Sequence, residues 1–335
     1  MTLTHDRAEV GGTTSSRSAS RQPLARFAVP ALLVLLVALF SILRPSTFAT
    51  SGNASTILVE NAVLTMLALA VMLPLVVNEF DLSLASVLGL SAMLAAGLPE
   101  KQGLSVPLTI AVLLGVGAVV GLVHAVLIVK VGLPSFVVTL GTNSVLGGII
   151  LLYSGGSVIY EAIPDAITVL GTGSIAGIGL PIVFLAIITA VLWFVLTQRP
   201  VGRLLYAVGA NEPAARLAGV NTSAVRTGVL VAAPVLAAFA GLILTARVGS
   251  ANPTSFNSFF LPAFAAAFLS LAAFKLGQYN PLGVVVSVYL LAVGVAGLSQ
   301  LGVPSWVEPI FNGVALIVAI VMSRLTASSR SITPP

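Results

Sequence analysis

PIVFLAIITAVLWFVLTQ at 181–198, RPVGRLLYAVGANEPAARLAGVNTSAVR at 199–226 and TGVLVAAPVLAAFAGLILTAR at 227–247 together decide the class of this chain. Two apolar runs, each close to the roughly 20 residues that cross the hydrocarbon of a bilayer, enclose one long polar interval. That interval carries Arg199, Arg203, Glu212, Arg216 and Arg226, five charges in a chain that is only 7% charged. It is a soluble handle on an otherwise apolar polypeptide, and a soluble partner is expected to touch it.

Residue types predict the handle's internal order. Asn211 suits a helix N-cap, Glu212 and Pro213 suit the first turn, and Gly219 suits the stop. The result is a helix of about two turns. Ala214, Leu217 and Ala218 share one side while Arg216 points elsewhere, so a small apolar face with a charged edge is offered. An ordinary connection whose arginines only set topology is the plainer interpretation. The cap, proline, alanine face and glycine stop in combination point to docking.

Composition outside the handle gives the same class. A hydrophobic share of 58% and a mean hydropathy of +1.11 do not describe a soluble domain, whose surface needs far more charge. The fold expected is all-α, a polytopic transmembrane helical bundle. The net charge of +5 comes from arginines between apolar spans, where they orient the chain, and no basic patch suits nucleic acid. With zero cysteines and only His5 and His124, no metal site is expected, and the pattern holds no catalytic constellation. His124, alone in an apolar span, is expected to make a hydrogen bond within the bundle.

Ten spans are expected, at 28–44, 58–77, 82–98, 107–129, 134–153, 181–198, 227–247, 260–275, 281–298 and 307–323. They form a transmembrane domain at 28–325, between a Ser/Thr/Arg-rich disordered tail at 1–27 and a second disordered tail at 326–335. With both termini cytoplasmic, only Arg44, Lys101 and Arg247 fall outside, and the other basic residues fall inside. The tight break at 78–81 is either a turn or a re-entrant segment. The Gly-rich stretch 154–180 is expected as a hairpin or a surface helix at the outer interface.

Two further polar places stand out. Asp81 precedes a helix expected to start near Leu82, so its carboxylate is placed to cap the N–H groups of Ser83 and Leu84; a carboxylate at such a break also marks a gate or path. Thr139, Thr142 and Asn143 recur at i, i+3 and i+4, a polar stripe that either glues helices, as Gly117 and Gly121 would, or lines a passage for an uncharged solute.

These residues carry a family resemblance. The stretch around Gly209, Asn211, Ala214, Ala215, Arg216, Gly219 and Val220 resembles the G-x-N-x-x-A-A-R-x-x-G-[IV] coupling loop of permease subunits of ribose-type sugar ABC importers. FDLSLAS at 80–86 is similar to the family's I-D-L-S-[VL]-G-S, and PSFVVTLGT at 134–142 to its P-x-F-[IV]-x-T-L-G-T. All three occur in family order and spacing. The resemblance implies a permease in the bacterial inner membrane, importing a neutral solute such as ribose or a related sugar. Its implied partners are a second permease copy or homologue, a cytoplasmic ABC ATPase that binds the ATP, and an extracytoplasmic sugar-binding protein. No G-x-x-x-x-G-K-[ST] occurs in this chain, in keeping with ATP chemistry on a partner. On the resemblance, Gly209, Asn211, Glu212, Ala214, Ala215, Arg216 and Gly219 couple to the ATPase, and Asp81, Ser83, Thr139, Thr142 and Asn143 lie on the translocation path. Two places depart from the pattern. Asn78-Glu79-Phe80 stands where the family has G-G before D-L-S, and 269–283 lacks the family's glycines. An ion-coupled secondary carrier and an ABC permease for amino acids are the alternatives.

Overall fold

The computed structural model describes residues 26–161 and 163–328. The tails expected at 1–27 and 326–335 therefore lie almost wholly outside the described residues. The elements are α1 (Ala28–Leu43), α2 (Ser51–Glu60), α3 (Ala62–Val76), α4 (Leu84–Gln102), α5 (Val106–His124), α6 (Ser135–Ser154), α7 (Asp165–Thr172), a hairpin of β1 (Ser174–Ile175) and β2 (Ile178–Gly179), and α8 (Leu180–Gln198). They continue as α9 (Pro200–Ala210), α10 (Glu212–Leu217), α11 (Thr222–Val248), α12 (Asn257–Leu269), α13 (Pro281–Gln300) and α14 (Val307–Ser328). A π-helical turn, Ala125–Lys130, extends α5, and a 3-10 turn, Ser270–Ala272, extends α12.

Each of the ten expected apolar intervals is helical. Six helices among the described residues are long and apolar enough to cross a membrane: Ser51–Val76, Val106–Lys130, Ser135–Ser154, Leu180–Gln198, Thr222–Val248 and Pro281–Gln300. Ala28–Leu43, Asn257–Ala272 and Val307–Val318 are shorter apolar helices. The second interval begins at Ser51, seven residues before the expected 58, because Thr50 caps α2 by accepting from Asn53 N.

α3 and α11 form the centre. α3 is apolar on every side and is buried at all positions but Leu64, as a helix without a polar face must be when other helices surround it. α11 packs on α3, α4, α5 and α7. α6 and α8 lie at the periphery, and their exposed Val145, Leu152, Ile187 and Val191 suit hydrocarbon as solvent. Gly117 and Gly121 let α5 approach α11 closely: a Cβ on Gly117 would lie 2.7 Å from the Pro234 carbonyl oxygen.

The segment 154–180 contains both expected forms, a short helix, α7, and the β1–β2 hairpin. Ala176 and Gly177 turn that hairpin with φ of 52° and 81°, the sign that a two-residue type I′ turn requires.

Candidate functional site

The handle forms the expected short helix, α10, and before it a helix that the residue types did not predict, α9. Asn211 Oδ1 accepts from Ala214 N at 3.0 Å, and Gly219 takes φ 84° just past the helix. α10 has six residues, fewer than two full turns. Its Ala215 is buried inward, while Ala214, Ala218 and Leu217, the last 92% exposed, face outward as an apolar patch. Gly209 sits directly on the Val76 carbonyl, where a Cβ would collide with the backbone. Thus α9 abuts the end of α3 only because residue 209 lacks a side chain.

Charges join α10 to the centre of the bundle. The Glu212 carboxylate accepts from Arg216 at 2.6 Å, from the Thr222 hydroxyl at 3.1 Å and from Arg226 Nη1 at 3.3 Å. Arg226 also donates from Nε to Glu79 Oε1 at 2.8 Å, and its Nη2 lies 2.5 Å from the same oxygen. Burial pushes the Glu212 carboxyl up, but the hydrogen bond from Arg216, the Arg226 charge and the Thr222 bond together hold it below its ordinary value. Arg226 is thus shared between the handle and the break that follows α3. Sequence alone missed this link, since Glu79 and Arg226 are 147 positions apart.

At the break, Asn78 adopts φ 61°, a left-handed conformation that asparagine tolerates and glycine takes freely. Asp81 is 1% exposed and its Oδ1 accepts from Ser83 N at 3.0 Å and from the Ser83 hydroxyl at 2.6 Å. The expected bond from Leu84 N is not formed, because α4 starts at Leu84 and Ser83 occupies the N-cap position. Asp81 Oδ2 faces His124 Nδ1 at 3.3 Å, with both side chains fully buried, in an orientation that aligns no hydrogen bond. His124, expected to be a lone hydrogen-bonder, bonds the Thr142 hydroxyl at 3.1 Å.

The polar stripe of α6 closes around this break. Thr139 Oγ1 accepts from Leu82 N at 3.1 Å, and Ser135 Oγ accepts from Phe80 N at 3.2 Å. Asn143 Oδ1 accepts from the Ser86 hydroxyl of α4. Asp81, Ser83, Thr139, Thr142 and Asn143 are therefore gathered in one seam between α4, α5 and α6, with His124 and Ser86 connecting them. A π-helical turn follows His124 directly, the kind of insertion that frequently marks a functional place in a helix. Among the described residues no three His, Asp or Glu side chains are grouped to hold a metal ion.

The seam at the helix break is thus joined through Glu79, Arg226 and Glu212 to the capped, exposed helix α10. Residues 53–320 match the family described as branched-chain amino acid transport system / permease component. The chain belongs to this permease family. The permease is 31% identical to the ribose import permease protein RbsC of Haemophilus influenzae over 89% of this chain and 93% of that one. It is 30% identical to the D-allose transport system permease protein AlsC of Escherichia coli, over 88% and 90% of the two chains. It is 32% identical to the ribose import permease protein RbsC of Bacillus subtilis, over 87% and 90%. No solved structure matches it.

Both departures from the family pattern have a local function in this permease. Glu79 supplies the carboxylate that holds Arg226. In 269–283, Asn280 Nδ2 donates to Ser270 O at 3.1 Å and to Ala273 O at 2.9 Å, while its Oδ1 caps α13 through Gly283 N at 2.7 Å. One asparagine side chain thereby fastens the end of α12 to the start of α13.

Proposed function

We propose that this permease is the membrane subunit of an ATP-binding-cassette importer that carries a neutral monosaccharide, ribose or a related sugar, into a bacterial cell. It sits in the inner membrane with about ten crossings and both termini cytoplasmic. A second permease copy or homologue, a cytoplasmic ATPase and an extracytoplasmic sugar-binding protein complete the assembly. The ribose and allose permeases among its relatives support the solute class.

The observation that carries the mechanism is the relay from the exposed face of α10 through Glu212 and Arg226 to Glu79. The ATPase binds the nucleotide and grips Ala214, Leu217 and Ala218 around the Asn211 cap. Arg216, Ala215 and Gly219 hold the helix in the shape that is gripped. Closure of the ATPase dimer displaces α10, and because Arg226 is bonded to both ends of the relay, α11 and the break at 77–83 move with it. Gly209 transmits the same motion to the end of α3 by direct backbone contact. Asp81, Ser83, Thr139, Thr142 and Asn143 form the wall of the path that this motion opens and closes.

The test is ATP-driven uptake and ATPase stimulation in proteoliposomes of the full assembly. Arg216→Glu and Gly219→Pro abolish both while the chain still inserts; intact uptake in either variant removes the handle from the mechanism. The buried Asp81–His124 pair is what an ion-driven carrier would use, so the same vesicles are assayed with an ion gradient and no ATP. Uptake under that condition selects the carrier.

A further inference from the structure

The far end of the molecule holds a polar cavity that neither the handle nor the seam uses. Arg247 lies 21 positions beyond Arg226 along α11, roughly 31 Å at 1.5 Å per residue, so this end is opposite α10. There, residues of α2, α3, α11, α12, α13 and α14 line an open cavity of about 530 Å³. That size is within the range of small-molecule sites, whose usual lining is apolar with a few fixed polar groups.

The wall is unusually rich in hydrogen-bonding groups for a bundle this apolar. Gln300 Nε2 donates to Asn53 Oδ1 at 2.8 Å, and its Oε1 has no partner. Arg247 Nη2 is held 3.1 Å from Glu60 Oε1, and Glu308 brings a second carboxylate. Asn312, only 7% exposed, lines the cavity as well, so that a second amide stands beside the buried, unpartnered oxygen of Gln300. A buried amide without a partner is costly, and in native structures such a group calls for a ligand, a water or a function.

We infer that this cavity is a solute-binding site of the permease, for a neutral polyhydroxy compound of monosaccharide size. A sugar hydroxyl both donates and accepts, and an Asn or Gln amide does both in return. Carboxylates accept and the guanidinium donates, so Asn312, Gln300, Glu308 and Arg247 can serve neighbouring hydroxyls of one ring. The lining charges are Arg247 against Glu60 and Glu308, and the cation is already engaged by Glu60. An anionic solute therefore finds no free positive group here, and an aliphatic side chain would leave the amides unmatched. The inference deepens the sugar-importer function and rests on it for the direction of travel: a solute released at the outer face would be received here before reaching the seam.

Equilibrium binding of radiolabelled D-ribose, D-allose and L-leucine to the full-length chain in nanodiscs tests the site. One of the two sugars is expected to bind and leucine is not. Asn312→Leu and Gln300→Leu raise the sugar Kd about tenfold or more. Ser299→Trp, at an exposed position on the wall, fills the space without removing a buried amide and gives the same loss if the leucine variants do not fold. Failure of the wild-type chain to bind either sugar, tighter binding of leucine, or unchanged affinity in the folded variants overturns the site. The two proposals fail separately. ATP-driven uptake that needs Arg216, with no sugar bound by the chain itself, removes the cavity alone; sugar bound here with ATP-independent uptake removes the importer alone.

Discussion

Arg226 is the residue on which most of the proposed mechanism converges, because its guanidinium serves two carboxylates from different parts of the chain. Replacing it with glutamine leaves Glu79, only 8% exposed, as an unmatched buried anion. The expected cost is about 2–3 kcal/mol, read by thermal unfolding in detergent. Adding Glu79→Gln to Arg226→Gln recovers part of that loss, and the double-mutant cycle measures the coupling. Glu212 adds a pH signature. Its folded value is held below the unfolded one, so its contribution is complete above about pH 4.3 and disappears as pH falls through the lower folded value. The stability difference between the wild type and Glu212→Gln should accordingly shrink only in that acidic window, and a difference that shrinks near neutral pH would contradict the assignment. Gly209→Ala is a third residue-scale case: its methyl group meets the Val76 carbonyl, and overpacking of this kind costs about 1–3 kcal/mol with loss of ATP-coupled uptake.

Among the elements, α10 is too short to persist alone and depends on its cap, its stop and the Glu212 bonds to Arg216, Thr222 and Arg226. Its outward face, with Leu217 92% exposed, makes no packing contribution to the isolated permease, and on the proposed mechanism the ATPase covers it. Leu217→Asp should therefore leave the unfolding temperature of the permease unchanged while reducing copurification of the ATPase about tenfold or more. The contact between α5 and α11 responds in the opposite way. Gly121→Leu forces a side chain into the backbone of Leu230 and Val231, separates the two helices and lowers the unfolding temperature without touching α10.

Across the whole molecule, the buried α3 and α11 run from the handle end to the cavity end, and the peripheral α6 and α8 present apolar side chains outward. On the proposed mechanism, force applied at one end would reach the other through these helices instead of through loops. Because the chain has no cysteine, single-cysteine variants can establish its orientation. A membrane-impermeant maleimide should label Leu217→Cys in inside-out vesicles only and Tyr160→Cys in right-side-out vesicles only. Labelling with the sides exchanged would reverse the orientation. The membrane class, the ten helical intervals, the Asn211 cap and the Gly219 stop were all legible in the sequence, since hydropathy and capping depend on residues within a few positions of each other. Asp81's bond to Ser83 N was legible for the same reason, whereas the exact start of α4 was not. The Glu79–Arg226 and Asp81–His124 pairs and the cavity around Asn312 were decided only by the tertiary structure. Each joins residues far apart in the chain, and no local pattern of charge or hydropathy specifies which distant helices will be neighbours.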